Sequence, residues 1–260
     1  MGETLAEAGA SRAVLGIDIG GTGVKGAPVD LTTGEFVADR LKIATPKPAT
    51  PDAVADVVAQ IADHFADYVG RGVIGIAIPA VCQNGVARSA ANIDPSWVDT
   101  DVDALFTERL GRPVHVVNDA DAAGVAEMQY GVAKDVPGVV ILTTLGTGIG
   151  SAILLDGKLL PNSELGHLEI DGKDAEDRAA QSAKEREDLS YPQWAKRLQR
   201  YYRHVEDLLW PDLFVVGGGI SKSADKFLPL LKLRTPIVPA KLRNSAGIVG
   251  AAWLAQEFGS

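Results

Sequence analysis

Residues 14–27 combine glycine, threonine and an acid in a spacing that can hold phosphate. The apolar run Val14–Ile19 contains one acid, Asp18, and leads into Gly20, Gly21, Thr22 and Gly23 before an apolar pattern resumes. Such a turn between two strands tolerates positive φ and presents successive backbone N–H groups to an anion. A carboxylate beside phosphate requires a cation between them, and Mg²⁺ binds both kinds of oxygen. The pattern predicts a phosphate and magnesium site or, alternatively, a plain hairpin with a surface acid.

A second strand–turn–strand element lies in the other half of the chain. Val139–Thr144 and Ser151–Leu155 flank the glycine–threonine turn Leu145–Gly150. This repetition predicts two facing phosphate loops. A third glycine turn, Gly217–Gly219, follows the apolar run Leu213–Val216. The Walker A pattern and the dinucleotide fingerprint both fail at these turns, because Ala27 and Ser151 stand where those motifs need lysine and glycine.

Acids and amides follow two further segments at positions suited to chemistry. A short buried strand, Val114–Val117, runs directly into Asn118 and Asp119, and an alanine-rich helix is predicted over 120–130. The end of a strand in an α/β protein is a common place for catalytic residues. Alternatively, Asp119 is only the N-cap of that helix. A second polar cluster contains Asn162, Glu164, His167 and Glu169.

Composition excludes several classes of protein. The 260 residues carry a net charge of −9, which argues against general nucleic-acid binding. The single cysteine, Cys82, excludes an intramolecular disulfide and a cysteine-cluster zinc site, and it suits the cytoplasm. The uncharged run 136–155 contains proline, glycines and threonines, so we predict strands there and no membrane helix. Residues 1–12 are predicted to be a disordered leader without a signal peptide.

The elements that must position these residues follow from apolar periodicity and from capping residues. Strands are predicted over 36–43 and 73–78, and a loop or short hairpin over 81–92. Helices are predicted over 101–110, 191–209, 247–258 and from Asp52, as N-cap, to Val69. The strongly charged segment 171–188 is predicted to be solvated.

Five motifs in order give the sequence a family resemblance. They are GIDIGGT (16–22), VNDAD (117–121), LGTGIGS (145–151), ELGHLEI (164–170) and GGGIS (217–221). The chain resembles the ROK sugar kinases, within the actin-like, hexokinase-like ATPases, and is most similar to the actinobacterial polyphosphate glucokinases and glucomannokinases. The resemblance implies an α/β fold of two domains with a cleft between them. The expected domains are residues 13–117 and 118–246, with the helix 247–258 packing back on the first.

The resemblance also implies roles for single residues. Asp119 would be the catalytic base for the sugar 6-hydroxyl, and the implied sugar ligands are Asn92, Asn118, Glu164, His167 and Glu169. The implied phosphate ligands are Asp18 (through Mg²⁺), Gly20, Gly21, Thr22, Lys25, Gly146, Thr147 and Gly148. Gly217, Gly218 and Gly219 would contact adenosine or leave room for a longer phosphate chain.

The same resemblance implies substrates, a metal ion and an assembly. The sugar would be glucose or mannose, the donors inorganic polyphosphate and ATP, the cofactor Mg²⁺, and the assembly a homodimer. Many ROK members bind zinc through a histidine at the place of His167 and three cysteines, but 171–184 contains no cysteine. No zinc is therefore expected, and His167 is a sugar ligand or a structural residue.

Alternative functions remain at this stage. They are a strictly ATP-dependent kinase for fructose or an N-acetylhexosamine and a non-catalytic sugar-binding relative. A ROK-type repressor is disfavoured because only a short segment precedes the first motif.

The positive charge is concentrated in one span. Residues 190–243 contain ten basic and four acidic residues, although the whole chain is negative. This bias predicts either solvated helix faces or a path for a phosphate polymer, with Lys222 and Arg234 as the first candidates for contacts.

Overall fold

The computed structural model of the chain describes residues 13–90 and 93–258. The predicted leader, residues 1–12, and the predicted sugar ligand Asn92 lie outside these residues. No helix in the described part of the chain is long and apolar enough to cross a membrane.

Most of the strands belong to two larger sheets. In chain order the strands are β1 (Ala13–Gly20), β2 (Gly23–Asp30), β3 (Glu35–Phe36), β4 (Leu41–Ile43), β5 (Ile74–Ile78), β6 (Cys82–Gln83), β7 (Val86–Ala87), β8 (Val114–Asn118), β9 (Val139–Leu145), β10 (Ile149–Leu155), β11 (Lys158–Leu160), β12 (Glu169–Ile170), β13 (Lys173–Asp174), β14 (Leu213–Gly217) and β15 (Ile237–Pro239).

The helices connect the strands and cover the sheets. They are α1 (Pro51–His64), α2 (Ala66–Val69), α3 (Val102–Leu110), α4 (Asp119–Tyr130), α5 (Glu176–Ala179), α6 (Gln181–Arg186), α7 (Tyr191–Leu209) and α8 (Ala246–Phe258). Short 3₁₀ turns complete several connections, including Leu165–His167 and Gly219–Lys226.

The two larger sheets repeat one strand pattern. In the first, β2 pairs antiparallel with β1, and β5 and β8 continue parallel to β1. In the second, β10 pairs antiparallel with β9, and β14 and β15 continue parallel to β9. The predicted α/β class and the repetition of strand, glycine turn and strand are therefore confirmed.

Strand alternation divides the core into three apolar layers. Ile74, Ile76 and Ile78 of β5 face α1 and α3, whereas Ala77 faces the opposite side with α4 and α8. In β14, Leu213 and Val215 join the same central layer, and Phe214 and Val216 pack with α7. Successive side chains of a strand point to opposite faces, so each sheet is buried on both faces. Helices α4 and α8 thus lie between the two sheets.

Three glycines let the backbone of α8 approach its neighbours directly. A Cβ atom at Gly16 of β1 would overlap the carbonyl of Ile248, and one at Gly75 of β5 would overlap the carbonyl of Ala251. On the other side, a Cβ at Gly250 would overlap the carbonyl of Ala122 in α4. Helix α8 is therefore fixed between the first sheet and α4 by contacts that leave no room for a side chain.

The region after β2 departs from the predicted single strand over 36–43. Two short strands, β3 and β4, pair with β2, and the residues between them leave the ladder. Val29 pairs with Phe36 and Gly26 with Leu41, so two residues of β2 oppose four on the other side. Pro28 has no N–H to donate to the ladder, which explains the interruption.

Two further predictions about helices are wrong in detail. Helix α1 begins at Pro51 with Thr50 as its N-cap, in place of Asp52, because proline is favoured in the first helical position. It also ends at His64, and Phe65 separates it from α2. By contrast, α7 spans the predicted residues 191–209 and begins with a capping box between Ser190 and Gln193.

The charged segment 171–188 is not simply solvated. It forms β13, α5 and α6, and it buries Ala175, Ala179, Ala180 and Ala183. The indole N–H of Trp194 donates to the carbonyl of Ala179 at 2.9 Å, which attaches the segment to α7. Between its charged residues the segment carries small residues that form a buried face, and this face was not predicted from the sequence.

Candidate active site

A cavity of about 300 Å³ lies where the two glycine turns and the start of α4 converge. Several predicted site residues line it: Gly20, Gly21, Asn118, Asp119, Gly146, Thr147, Gly148, Glu164, His167 and Gly218. The structure therefore brings the sequence motifs from both halves of the chain to one place. The predicted residues Asp18, Thr22, Lys25, Glu169, Gly217 and Gly219 are not among those that line the cavity.

The turn between β9 and β10 is held by its own backbone and by α6. The N–H of Gly146 donates to the carbonyl of Gly148 at 3.0 Å. Ser182 adds two bonds, because its N–H donates to the Gly146 carbonyl at 3.0 Å and its hydroxyl to the Thr147 carbonyl at 2.6 Å. The carbonyl groups of Gly146, Thr147 and Gly148 therefore already accept hydrogen bonds within the protein.

Asn118, and not Asp119, caps helix α4. The side-chain oxygen of Asn118 accepts from the N–H groups of Ala120 and Asp121 at 2.9 and 3.1 Å, and its amide donates to the Ala80 carbonyl at 3.1 Å. The alternative interpretation of Asp119 as an N-cap is therefore wrong. The carboxyl group of Asp119 is therefore not used in capping, and Asp119 lines the cavity.

The pKa of Asp119 is raised to about 7, mainly by burial. The carboxylates of Asp18, Glu164 and Asp121 contribute to this rise, and the backbone N–H of Ala120 opposes it. Near neutral pH the group is consequently able both to accept and to release a proton.

Asp18 lies on β1 behind the first turn, and its carboxylate pairs with Lys25 of β2. The Lys25 ammonium is 3.2 Å from the Asp18 carboxylate, and both side chains are largely buried. This ion pair follows from the strand register, in which the two residues are directly opposite one another.

The polar cluster after β11 is ordered around His167. The Nδ1 atom of His167 is 2.8 Å from a carboxylate oxygen of Asp174, and its Nε2 atom is 4.0 Å from Glu164. The hydrogen bond to Asp174 raises the pKa of His167, while burial raises the pKa of Glu164. Glu169 is exposed on β12, and its backbone lies opposite that of Asp174 on β13.

Glu176 is a cavity residue that the sequence analysis missed. Its carboxylate accepts the backbone N–H of Ile149 at 2.9 Å and lies against Gly148 and Gly166. It stands in the charged segment 171–188, and no local motif distinguishes it from the acids around it. Ser89 and Thr144 also line the cavity without having been predicted.

The third glycine turn meets the cavity at one residue. Gly218 has a φ of 80°, and a Cβ atom there would lie 2.6 Å from the carbonyl oxygen of Leu145. Only glycine combines this backbone conformation with this close approach. Gly217 is the buried end of β14, and Gly219 is exposed at the start of a 3₁₀ turn.

Asn162 links the loop after β11 to strand β6 and to helix α4. Its side-chain oxygen accepts the N–H of Cys82 and its amide donates to the carbonyl of Cys82, both at 2.8 Å. Its own N–H donates to the carboxylate of Asp121 at 2.7 Å. Burial raises the pKa of the Cys82 thiol to about 12, so the thiol stays protonated and is not a nucleophile at neutral pH.

We expect Asp121→Asn to become progressively more stable than the wild type as pH rises. Asp121 is 2 % exposed, and one of its oxygens has no hydrogen-bond partner among the described residues. Burial raises its pKa from 3.8 to about 7, so ionisation between these values costs the folded state stability that the unfolded state does not lose. Asparagine keeps an acceptor for Asn162 and carries no charge.

The measurement is the free energy of unfolding by urea between pH 4 and pH 8. The exposed Asp135→Asn is the matched control, and its difference from the wild type should not grow with pH. A difference for Asp121→Asn that is constant across this range would contradict the assignment.

Comparison with known proteins assigns the chain to a family. The model of the ROK family matches residues 14–181, which covers more than half of the chain, and the chain belongs to that family. The resemblance stated from the motifs is thereby confirmed.

The particular relatives are more informative than the family. A polyphosphate glucokinase of Mycobacterium tuberculosis is 54% identical over 92% of this chain and 89% of its own length. The crystal structure of an inorganic polyphosphate/ATP-glucomannokinase from Arthrobacter sp. strain KM has 55% identity and a TM-score of 0.91, with 94% of this chain and 98% of that chain covered.

A more distant structure has the same fold. The ROK glucokinase from Streptomyces griseus, in complex with glucose and AMPPNP, has 23% identity and a TM-score of 0.82, with 94% of this chain and 99% of that chain covered. The predicted actin-like, hexokinase-type fold is confirmed by these neighbours.

Proposed function

We propose that this chain transfers a phosphoryl group from inorganic polyphosphate or ATP to the 6-hydroxyl of glucose, and also of mannose. The observation that carries the proposal is the placement of the Asp119 carboxyl between two glycine–threonine hairpin turns in one cavity. The relatives described as polyphosphate glucokinase and polyphosphate/ATP-glucomannokinase support the same donors and sugars.

Asp119 is the proposed catalytic base. The sugar oxygen attacks the terminal phosphorus of the donor, the bond from that phosphorus to the rest of the donor breaks, and Asp119 takes the hydroxyl proton. Phosphoryl transfer depends mainly on alignment and charge neutralisation, so one acceptor for the proton is sufficient. A pKa of about 7 suits this role near neutral pH.

The sugar ligands in this proposal are Asn118, Glu164 and His167, which line the cavity, together with Glu169 and Asn92. Carboxylate, amide and imidazole groups can each pair with neighbouring sugar hydroxyls. Asp174 holds the His167 ring through Nδ1, which leaves Nε2 on the side of Glu164.

The phosphate ligands in this proposal are the backbones of the two turns. Gly20, Gly21 and Thr22 with Lys25 would bind from one side, and Gly146, Thr147 and Gly148 from the other. Gly217, Gly218 and Gly219 are the proposed contacts for adenosine or for further phosphate units, because Gly218 lines the cavity beside the second turn.

Mg²⁺ fits the residues that are present. Asp18 is close enough to Asp119 to raise its pKa, and two such carboxylates favour a cation beside them. No group of three or more acidic, histidine or cysteine ligands occurs in residues 13–90 and 93–258. This does not disfavour Mg²⁺, which commonly takes one or two carboxylates and completes its shell with phosphate and water. When bound, it would neutralise charge on the phosphate oxygens.

The proposal includes a cytoplasmic homodimer. The family resemblance supports the dimer, and the single cysteine suits a reducing compartment.

The test is a panel of donors and sugars with purified protein. We expect sugar 6-phosphate to form from glucose and mannose with either ATP or long-chain polyphosphate, and chelation of Mg²⁺ to abolish it. Turnover of fructose or an N-acetylhexosamine alone would favour the alternative hexokinase. Turnover with ATP alone would restrict the donor, and no turnover with any pair would favour a sugar-binding relative.

A further inference from the structure

A second cavity, of about 620 Å³, lies beside α7 and has an unusually basic wall. We call it the basic pocket. Its charged lining comprises Lys173, Arg178, Arg186, Lys196, Arg197 and Arg200, against Asp171, Asp177 and Glu187. Positive charge therefore exceeds negative charge here, in a chain whose net charge is −9.

Half of these cations already take part in ion pairs, with Arg186 and Arg197 sharing Glu187. Arg197 binds Glu187 at 3.0 Å, Arg200 binds Asp171 at 2.9 Å, and Arg186 is 3.7 Å from Glu187. Lys173, Arg178 and Lys196 are exposed and make no ion pair within the described part of the chain. The pocket thus offers three cations to an anion from solution.

The wall of the basic pocket also contains a buried tyrosine. Tyr201 lines the basic pocket and is 1 % exposed, and its hydroxyl has no hydrogen-bond partner among the described residues. Because the hydroxyl oxygen itself is shielded from solvent, it is not a contact for an anion in the pocket, and the exposed cations are the groups that an anion can reach.

The basic pocket and the active-site cavity share one thin wall. In the four-residue helix α5, Glu176 lines the active-site cavity, while its successors Asp177, Arg178 and Ala179 line the basic pocket. Helix α6 extends this wall, because Ser182 supports the turn at Gly146 and Thr147 and Arg186 lines the pocket. The two cavities are therefore adjacent to one another at α5 and α6.

We propose that the basic pocket binds phosphate units of the polyphosphate donor that are remote from the reacting end. This inference rests on the proposed use of polyphosphate. ATP, with three phosphates, is expected to end at the glycine turns, whereas a long chain reaches Lys173, Arg178 and Lys196. The pocket would then distinguish the two donors by length without contacting the reacting phosphate.

This assignment replaces the residues first suggested by the sequence. Arg234 binds Asp207 at 2.9 Å and Glu206 at 3.3 Å, and its guanidinium group stacks 3.8 Å above the Trp210 ring. It is therefore committed to other groups and is a poor candidate for a polyphosphate contact. Lys222 is exposed but does not line either cavity.

The test is the triple variant Lys173→Gln, Arg178→Gln and Lys196→Gln. We expect KM for long-chain polyphosphate to rise about tenfold or more. The slope of log KM against log salt should fall by about two, because fewer counterions are released on binding when three contacts are lost. KM for ATP and for tripolyphosphate should change less than about twofold.

The matched control is Arg71→Gln, Lys134→Gln and Lys158→Gln, which removes the same charges from exposed positions outside both cavities. An equal effect of the two triple variants would overturn the inference, because only net charge would then matter. A rise in KM for ATP as large as that for polyphosphate would overturn it as well.

Binding of fluorescently labelled long-chain polyphosphate, measured by anisotropy, separates this inference from the proposed function. Weaker binding to the triple variant than to the control supports the pocket even if polyphosphate is not a donor. Turnover of polyphosphate with equal binding to both variants refutes the pocket and leaves the proposed function intact. Absence of both binding and turnover in the wild type refutes both.

Discussion

Replacement of Asp119 by asparagine is expected to lower kcat by at least about 10²-fold, the usual scale for a positioned general base. Asparagine has nearly the same shape but cannot take the proton from the sugar hydroxyl. The fold should persist, because Asn118 and not Asp119 caps α4. Affinity for glucose, measured by calorimetry, should stay within a few-fold of the wild type. The measurement is steady-state turnover with ATP and with polyphosphate.

The same carboxyl group should set the acid limb of the pH profile. Because the pKa of Asp119 is raised to about 7, kcat/KM for glucose should fall as pH decreases through this value. The limb should be absent from the residual activity of Asp119→Asn. The exposed Asp135→Asn should keep both the rate and the profile of the wild type. Turnover of Asp119→Asn within a few-fold of the wild type would remove Asp119 from the mechanism.

Gly75→Ala is expected to lower the free energy of unfolding by about 3 kcal/mol or more, at the upper end for overpacking a core. The new methyl group would overlap the carbonyl of Ala251 and lie 2.9 Å from the N–H nitrogen of Ala252. These are backbone atoms of α8, so no side chain can rotate away. Helix α8 must therefore move away from β5. The equally close contacts at Gly16 and Gly250, which hold α8 against β1 and α4, oppose this movement. Urea unfolding gives the value directly.

Gly72→Ala, in the loop just before β5, is the control. A Cβ atom there would make only an ordinary contact, at 3.7 Å from the carbonyl oxygen of Val69. We expect its stability to remain within about 1 kcal/mol of the wild type, since alanine also restricts the unfolded chain. Comparable losses in the two variants would show that the cost arises from the backbone at glycine in general and not from the packing of α8.

Local sequence patterns predicted those parts of the structure that depend on local physics. The glycine–threonine turns, the capped helix 101–110 and the amphipathic helix 191–209 each follow from residues within one element. Gly111, for example, ends α3 with a φ of 61°, as its type and position indicate. The position of Asp119 near the two turns depends on the whole fold. That fold was predicted from the repeated turns and the family motifs together.

Contacts between distant segments could not be predicted in this way. Glu176 reaches Ile149 across 27 positions, and Asn162 reaches Cys82 across 80 positions. Nothing in the neighbouring residues distinguishes Asn162 from any other loop asparagine. The ion pairs that occupy Arg234 also depend on how α7 meets the chain before β15. The charge count over residues 190–243 therefore predicted an excess of cations. It could not show which of these cations are already engaged in ion pairs.

The two larger sheets share one strand pattern, but residues at equivalent positions in them differ. Gly21, Thr22 and Gly23 in the first hairpin correspond to Gly146, Thr147 and Gly148 in the second. Three residues before each of these triplets, Asp18 of β1 corresponds to Thr143 of β9, whose hydroxyl is buried 2.6 Å from that of Tyr202. One copy of the motif thus carries a carboxylate and the other a neutral hydroxyl. At this equivalent pair of positions the two hairpins therefore differ in charge, and only the first can offer a carboxylate to a cation.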